Sequence, residues 1–399
     1  MDFKQLNFYQ DTNFIESKNI LLRIAGTPVN HCPRFVNLPL ALYGAGDLGK
    51  MAREYFDRLG IPINFVVDIH AEKLQNDPFW QGLQVVTPSA VEPKTRKKVL
   101  LAICVVTSSY TDIAKHLYSE GWTDVVPFYD IAEAYRDRHP LSNGWFATPF
   151  SANDIKQIES VLERWADDIS RAHHLQFIAW RRLRQEWSFM GALINTKNRY
   201  FIPEVVSVLT DQESFADVGA HIGGVSQRFI EMVKSCFQKI WVIEPDVTNL
   251  SALQQLMVSS LAIELKHKIN IIPVAVGSKN EQRNFFQGLG YASQCSHLGQ
   301  NSITVRTIDE LGLTPSFIKL HIEGWELDAL KGAGETLRQY RPIVTVTSYH
   351  NHEGLWQLPQ WLMSELSNYK FYMRLHSWCG TGAVVYCVPQ ERFIYENRG

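Results

Sequence analysis

A short segment at residues 217–223, with the sequence DVGAHIG, has the residue types of a nucleoside-binding turn. The apolar run at 215–218 predicts a buried strand before it, and the small residues of the turn would let a ligand approach the backbone closely. Glu244 ends a second apolar run and lies 27 residues after Asp217. Two adjacent parallel strands would place this carboxylate beside a ribose. The sequence therefore predicts a nucleoside half-site formed by Asp217, Gly219, Ala220, Gly223 and Glu244.

A second glycine turn lies earlier in the chain, in the segment LPLALYGAGDLGKMAREYF that begins at Leu38. It combines an apolar strand, glycines at G-x-G-x-x-G spacing and a helix, and the next predicted strand ends on an aspartate. This is the pattern of a dinucleotide site, with a helix N-terminus for a pyrophosphate and an acid for a ribose hydroxyl. The pattern stops too early to supply the half that would hold a nicotinamide. The residues of this predicted nucleotide site are Gly44, Gly46, Gly49 and Asp68.

The composition is that of an ordinary globular protein and argues against several kinds of partner. The chain has 399 residues, of which 45% are hydrophobic and 20% charged, which is enough for two or three domains. A formal charge of -2 gives no field that would attract nucleic acid. Six cysteines without a C-x-x-C pair favour reduced thiols. Because neither a leader nor a long apolar segment is found, we expect a cytoplasmic protein without a membrane span.

The order of predicted elements divides the chain into four parts. We expect an N-terminal extension at 1–37, a Rossmann-like parallel sheet at 38–136, a linker with bridging helices at 137–200 and a larger α/β domain at 201–399. In the last part, strands are expected near 214–218, 239–243, 269–274, 316–322, 341–348, 369–376 and 383–388. The final two are separated only by WCGTG, so they should form an antiparallel hairpin. The predicted fold class is α/β, a class I methyltransferase sheet of seven strands preceded by a smaller Rossmann-like domain.

Several motifs after residue 200 resemble one family, the FkbM-like methyltransferases. The most specific is FIKLHIEGWELDALKGA at 317–333; the others are DVGAHIG, IEP at 243–245, AVGS at 275–278, VRTIDEL at 305–311 and SYHNHEGLWQLP at 348–359. The resemblance implies S-adenosylmethionine-dependent O-methylation of a sugar, a glycan or another polyhydroxylated metabolite. Two positions depart from the family pattern, since His321 stands for the usual aspartate and His221 for the usual asparagine.

The resemblance also implies roles for individual residues. The segment 217–223, including His221, would hold the methionine end of the cofactor, Glu244 would accept the ribose hydroxyls and Ala275 would flank the adenine. Because an alcohol has a high pKa, a base or a bound cation must assist methyl transfer. The candidates at the carboxyl ends of the fourth and fifth strands are Lys319, His321, Glu323, His350 and His352.

Each of these candidates has a structural alternative. His321 lies in an alternating strand and could be a core histidine, whereas Glu323 and Glu326 also suit a helix N-terminus. A divalent metal held by His321, Glu323 and His350 would have a chemically reasonable set of nitrogen and oxygen ligands, with a histidine base as the alternative. Among the aromatic residues, the candidates to face a sugar ring are Trp325 and Trp378.

Two other functions stay open at this point. An NAD-dependent oxidoreductase would use the first glycine turn, and a non-catalytic nucleotide-binding scaffold would explain the histidine at 321 as a mark of lost catalysis. The expected partner is a small-molecule or saccharide acceptor. The N-terminal domain would bind a nucleotide or nucleotide-sugar, or it would only pack against the larger domain.

Overall fold

The computed structural model describes residues 4–9, 12–74, 76–141, 145–260 and 263–393, with no account of the side chains at 257–260, 263 and 264. Small pieces of all four predicted parts lie outside these residues: 1–3 and 10–11 of the extension, 75 of the Rossmann-like domain, 142–144 of the linker, and 261–262 and 394–399 of the larger domain. The described chain has a mixed α/β fold with parallel sheets, which confirms the predicted class at this level. None of its described helices combines the length and the hydrophobicity that crossing a bilayer would need.

The described elements alternate between strands and helices. The strands are β1 (Gln5–Phe8), β2 (Leu40–Tyr43), β3 (Ile63–Val67), β4 (Val85–Val86), β5 (Leu100–Ile103), β6 (Val125–Pro127), β7 (Glu186–Phe189), β8 (Ser214–Val218), β9 (Lys239–Ile243), β10 (Ile269–Ile272), β11 (Ala275–Val276), β12 (Glu281–Phe286), β13 (Gln294–Cys295), β14 (Asn301–Arg306), β15 (Phe317–Leu320), β16 (Ile343–Thr347), β17 (Tyr369–Leu375) and β18 (Ala383–Pro389). The helices are α1 (Phe14–Gly26), α2 (Asp47–Leu59), α3 (Ala71–Leu74), α4 (Pro93–Arg96), α5 (Tyr110–Ser119), α6 (Phe128–Ala134), α7 (Ala152–Arg164), α8 (Asp168–Leu183), α9 (Pro203–Val206), α10 (Gly224–Met232), α11 (Val247–Ser260), α12 (Ile263–Lys266), α13 (Glu326–Lys331), α14 (Gly334–Tyr340) and α15 (Gln357–Glu365).

Strands β2 to β6 form a five-stranded parallel sheet in the order β4-β3-β2-β5-β6. Its first strand in sequence lies at the centre, so the chain winds outward on both sides and the turn after β2 opens at the carboxyl edge. Helix α2 follows that turn and buries an apolar face that includes Met51, Tyr55 and Phe56. The two-residue strand β4 was not predicted, because so short a run has no readable periodicity.

The larger sheet has seven strands in the order β10-β9-β8-β15-β16-β18-β17. The first five are parallel, whereas β18 runs antiparallel to both β16 and β17, as the short WCGTG connection requires. Strands β15 and β16 are buried along their whole length, which explains their nearly continuous apolar sequences. Register places Lys319 directly beside Asp217 on β8. The carboxyl ends of β8, β9, β15 and β16 therefore meet at one edge.

The region predicted as a linker with bridging helices connects all parts of the molecule. Residues 151–184 of this region form two helices. Helix α7 ends before Trp165, and helix α8 begins after Asp167, whose side chain accepts a hydrogen bond from the Ser170 amide. Helix α8 packs on β17 of the larger sheet and on α1, while β7 pairs in parallel with β1. The N-terminal extension, expected to be irregular to helical, thus holds a strand and a helix that pack against the bridge.

The segment between β10 and β15 in the sequence forms a four-stranded sheet, here called the second sheet, which was not predicted. Its order is β11-β14-β12-β13, with β11 parallel to β14 and the other pairs antiparallel. Two of its strands have only two residues, and β12 alternates partly buried and exposed positions with the sequence EQRNFF. Such polar, short strands give a weak pattern. This sheet matters for function because it supplies one wall of the cavity described next.

Candidate active site

The turn after β8 brings the backbone of two neighbouring strands unusually close together. Gly219 has a φ of 73°, and a Cβ atom at this position would lie 1.9 Å from the carbonyl oxygen of His321. Only glycine fits such an approach. The chain then enters α10 through Gly223, which caps the helix in the left-handed conformation. The glycines of the DVGAHIG motif are thus explained by the backbone geometry of the turn.

Glu244, at the end of β9, is held against that turn. Its Oε2 atom accepts a hydrogen bond of 2.8 Å from the His221 amide, and its Oε1 atom accepts from the Asp246 amide and the Asn249 side chain. Burial raises the pKa of the carboxyl group, although these donors act in the opposite direction. The carboxylate is therefore fixed in one orientation at the mouth of the sheet edge.

A small cavity of about 50 Å³, here called the Glu244 cavity, lies between the turn and the second sheet. Four of the predicted cofactor residues line it: Gly219, His221, Glu244 and Ala275. Its other walls are mainly apolar or small and include Val274, Val276, Phe285, Gly290 and Ile322. Two predicted catalytic residues, His321 and Glu323, also line it. The predicted cofactor residues and the predicted catalytic residues therefore line the same cavity. The other two residues of the turn lie elsewhere: Ala220 faces a neighbouring cleft, and Gly223 caps helix α10.

Asp217 and Lys319 differ from the prediction, because they bind each other. The Lys319 ammonium donates to Asp217 Oδ1 at 2.9 Å and to the Gly219 carbonyl oxygen at 2.7 Å. The other carboxylate oxygen of Asp217 accepts from the Ser226 hydroxyl at 2.7 Å. The Asp217 side chain is 0% exposed and that of Lys319 2%, which leaves Asp217 no surface for a ligand. The pair supports the turn from behind, whereas contact of Lys319 with an acceptor stays a prediction.

Two histidines and two glutamates converge where β15 and β16 end; we call His321, Glu323, Glu326 and His350 the histidine–glutamate cluster. The Nε2 atom of His321 lies 2.9 Å from Glu323 Oε1, and the Nε2 atom of His350 lies 3.3 Å from the same oxygen. His350 Nδ1 lies 2.7 Å from Glu326 Oε1, and the two imidazole rings stack with centroids 4.9 Å apart. Glu323 has a φ of 55°, so the backbone is turned to aim this carboxylate inward.

The two histidines differ in protonation because their neighbours differ. Burial lowers the pKa of His321 to about 4, even though Glu323 is nearby. Burial also opposes the charge of His350, but Glu323 and Glu326 outweigh it and raise the pKa of that imidazole to about 10. Burial likewise works against ionisation of Glu323, yet the His350 charge and the His321 hydrogen bond keep the pKa of this carboxyl group well below its usual range. The cluster therefore holds one cationic histidine between two carboxylates.

The match to known proteins covers this region. Residues 217–373 match the family model described as the methyltransferase FkbM domain. These residues form an FkbM-type methyltransferase domain. Every residue of the Glu244 cavity and of the histidine–glutamate cluster lies within this match. The resemblance noted in the sequence motifs is confirmed.

The fold of nearly the whole chain is shared with a solved structure. The crystal structure of methyltransferase FkbM from Methylobacillus flagellatus KT aligns with a TM-score of 0.62 and 18% identity, covering 94% of this chain and 100% of that one. A precorrin-6y C5,15-methyltransferase from Geobacter metallireducens GS-15 aligns over 49% of this chain and 92% of its own, at 11% identity and a TM-score of 0.29. An rRNA methylase from Streptococcus thermophilus aligns over 46% of this chain and 90% of its own, at 11% identity and a TM-score of 0.31. The TM-scores of 0.29 and 0.31 are too low to support any conclusion about this chain. No curated protein matches it.

The first glycine turn faces the methyltransferase domain across a cleft of about 940 Å³, the interdomain cleft. One side of the cleft contains Gly44, Gly46 and Asp68, and the other contains Gly219, Ala220, His221, Lys319 and His321. One Asp68 carboxylate oxygen accepts a hydrogen bond from the Ala45 amide of the first glycine turn, and the other accepts from the His70 amide of its own loop. At Gly49, a Cβ atom would lie 2.1 Å from the Gly44 carbonyl oxygen, so this glycine serves helix packing. The two turns thus open onto one space.

Some residues of the methyltransferase site were not found from the sequence. The Tyr200 hydroxyl lies 2.6 Å from His321 Nδ1, and the Tyr349 hydroxyl lies 3.3 Å from His321 Nε2. Tyr349 had a signal, since it precedes His350 in the family-like SYH segment. Tyr200 had none, because it belongs to the region predicted as a bridge. Tyr291, between β12 and β13, also lines both the Glu244 cavity and the interdomain cleft.

The remaining candidates have other positions. Trp325 lines the Glu244 cavity, but its indole donates to the Cys295 carbonyl oxygen and stacks with Arg283 at 4.1 Å. Trp378 packs against the N-terminal core and donates its amide to the Val106 carbonyl oxygen. His352 caps a short 3-10 helix and lines neither the Glu244 cavity nor the interdomain cleft.

Proposed function

We propose that this methyltransferase uses S-adenosylmethionine to methylate a hydroxyl group of a sugar, a glycan or another polyhydroxylated small molecule. One observation carries the proposal: the cavity with nucleoside-type walls opens directly onto the histidine–glutamate cluster, so donor and proton-handling groups adjoin. The seven-stranded sheet with its terminal antiparallel hairpin also has the arrangement expected of a class I methyltransferase. Both features belong to the segment matched by the family.

The residues of the Glu244 cavity suit the nucleoside part of this cofactor. S-adenosylmethionine supplies a methyl carbon on a sulfonium, which an oxygen lone pair attacks while the C–S electron pair stays on sulfur. Glu244 presents a fixed carboxylate for the ribose hydroxyls, the backbone at Gly219 is open to close approach, and Ala275 lies on the apolar wall. The cavity is smaller than the roughly 300 Å³ at which ligand pockets begin. Donor binding therefore requires the wall that contains Tyr291 to move outward.

The acceptor would enter through the interdomain cleft. This space reaches His321, shares Gly219 and Tyr291 with the Glu244 cavity, and is large enough for a saccharide. The first glycine turn lines this cleft, which supports the proposal that the N-terminal domain binds a nucleotide or nucleotide-sugar that carries the acceptor. We also propose that the chain has two domains, at 38–136 and 201–399, and that the bridge at 137–200 joins them.

Replacing Glu244 tests the donor site. We expect Glu244→Gln to weaken S-adenosylmethionine binding by about 10- to 100-fold in calorimetry, because hydrogen bonds to a charged group contribute about 1.5–3 kcal/mol. Glu163→Gln, at an exposed position of α7, is the matched control and should bind as the unchanged protein does. An equal urea midpoint for the two variants would show that the loss is local.

The same calorimetry separates the proposal from its rivals. Binding of NAD without any binding of S-adenosylmethionine would overturn the proposal and favour an oxidoreductase. Binding of neither ligand would favour a scaffold. Methyl transfer from labelled S-adenosylmethionine to nucleotide-sugars and free glycans then identifies the class of acceptor.

A further inference from the structure

We propose that His321, Glu323 and His350 bind one divalent first-row transition ion, such as Mn²⁺, Fe²⁺, Co²⁺ or Zn²⁺. Each residue offers one ligand atom, and these three atoms lie within 4.8 Å of one another. Two imidazole nitrogens and one carboxylate oxygen are a ligand set that these ions favour over Mg²⁺ or Ca²⁺. The binding itself does not depend on the proposed function, whereas the catalytic role given to it below does.

The distances within the cluster are those of a set of ligands around a common centre. Ligands at about 2.1 Å from a metal and about 90–110° apart are separated by roughly 3.0–3.4 Å. The separations from Glu323 Oε1 to the Nε2 atoms of His321 and His350 are 2.9 Å and 3.3 Å. Only small shifts of the side chains would therefore be needed to admit an ion.

Among the described residues, the nitrogen of His350 that points into this centre has no hydrogen-bond partner. His350 is only 6% exposed, and its Nε2 atom is fully buried, so this atom should be paired unless it serves another purpose. Its distance of 3.3 Å from Glu323 is close enough for an ion pair, but the two atoms are not aligned as a hydrogen bond. A metal ion would displace the Nε2 proton of the cationic imidazole and bind the lone pair that this exposes, so that binding releases a proton.

Both histidines are oriented from behind, as metal-binding histidines usually are. The Nδ1 atom of His350 lies 2.7 Å from the Glu326 carboxylate, and the Nδ1 atom of His321 lies 2.6 Å from the Tyr200 hydroxyl. The Glu326 carboxylate fixes a proton on Nδ1 of His350, and the Tyr200 hydroxyl can accept a proton from Nδ1 of His321, so that both Nε2 atoms would be available to a metal. Glu326 is itself fixed by the Thr347 hydroxyl and by the amides of Ile322 and Gly324. A glutamate needed only for charge balance would not require this support.

The centre also has room for a substrate oxygen. His321 faces both the Glu244 cavity and the interdomain cleft, whereas Glu323 and His350 face a small cavity whose other side includes Tyr129 and Trp145. Three protein ligands leave further coordination positions open. If the proposed function holds, an acceptor hydroxyl would occupy one of them, and the ion would lower its pKa so that its proton passes to water.

Metal binding can be measured without any assay of methyl transfer. Untagged full-length protein is freed of metal with a chelator, dialysed and titrated with Co²⁺, while visible absorption and metal content are followed. We expect one equivalent per chain with a ligand-field spectrum, and competition by Zn²⁺. In His350→Gln and Glu323→Gln, saturable binding should be lost. In Glu326→Gln, which removes only an orienting partner, binding should weaken by about 10- to 100-fold.

The controls decide whether the site is the one proposed. His116→Gln, which removes an exposed histidine of α5, should bind Co²⁺ as the unchanged protein does. Thermal unfolding of each variant establishes that it is folded. The proposal is overturned if none of the four ions binds at this site, or if Co²⁺ binding survives His350→Gln and Glu323→Gln unchanged.

Separate readouts keep this proposal distinct from the proposed function. S-adenosylmethionine binding that persists in chelator, together with one bound Co²⁺, supports both sites. If the protein binds Co²⁺ but does not bind S-adenosylmethionine, with or without the ion, the proposed function is refuted and the metal site is still supported. Full methyl transfer in chelator would refute the catalytic role of the ion.

Discussion

At the scale of single residues, the buried pair formed by Lys319 and Asp217 supports the turn of the candidate active site from behind. The sequence showed that both residues adjoin the turn, because Lys319 is part of the family motif and Asp217 precedes the glycines. It did not show that they touch, since their contact depends on the register between β8 and β15. Sequence spacing locates a residue along the chain, whereas its partner is set by which strands are neighbours.

Removing one member of this pair should be costly. We expect Lys319→Met to lower the free energy of unfolding by about 3–5 kcal/mol, because the Asp217 carboxylate would remain buried and uncompensated. Asp217→Asn should lower the free energy of unfolding by a similar amount, because the Lys319 ammonium would then remain buried and uncompensated. The double variant should recover much of the loss, and urea unfolding of all four proteins measures the coupling. Purely additive effects would contradict the pairing.

At the scale of elements, all seven strands of the larger sheet were predicted from apolar runs, within a few residues at each end. The strands of the second sheet and the pair β1 and β7 were missed. They have between two and six residues, and the sequences of several are polar, so periodicity gives no signal there. The Glu244 cavity could thus be predicted on its β8 and β9 side, but its opposite wall could not.

The turn after β8 offers an element-scale prediction. Gly191 and Gly219 have nearly equal φ angles of 76° and 73°, but a Cβ atom at Gly191 would meet nothing within 4 Å. Gly191→Ala should therefore lower the free energy of unfolding by about 1–2 kcal/mol, which is the cost of placing an alanine in the left-handed conformation. Gly219→Ala should cost about 1–3 kcal/mol more, because the methyl group collides with the His321 carbonyl oxygen. Equal losses in thermal unfolding would contradict the close approach.

At the scale of the whole molecule, the active site depends on parts of the chain that lie far apart. Arg184 at the end of the bridge pairs with Asp130 of the N-terminal domain at 2.9 Å, and both side chains are almost fully buried. Glu186 accepts from Ser109 and Thr111 at the start of α5. These contacts fix the N-terminal domain over the histidine–glutamate cluster. No sequence pattern predicted them, because they join segments between 54 and 77 residues apart.

Among the described residues outside the histidine–glutamate cluster, four buried histidines are neutral, which predicts sensitivity to acid. Burial lowers the pKa of His139, His173, His174 and His376 from 6.5 to about 4 in each case. The unfolded chain therefore binds more protons between these values, so stability is complete above about pH 6.5 and is lost as the pH falls. The four groups together give a slope of up to about 5 kcal/mol per pH unit. Unfolding before pH 4 is expected.

Urea midpoints measured between pH 7.5 and 5 check this slope. In His174→Gln the slope should fall by about one proton, because that imidazole accepts from the Trp165 indole and donates to the Leu355 carbonyl oxygen only when neutral. His116→Gln, at an exposed site, should leave it unchanged. A flat profile across this range would show that the histidines are not buried in the neutral form.

The pairing of β1 with β7 has a consequence for the order of events during synthesis. Gln5 is the partner of Glu186, so β1 must wait until about 180 further residues have been synthesised before it can pair. At a synthesis rate of about 5–20 residues per second, the wait is roughly 10 to 40 seconds. The Rossmann-like domain, whose contacts are more local, has time to form meanwhile. The N-terminal segment then pairs with β7 only after that domain has had time to fold.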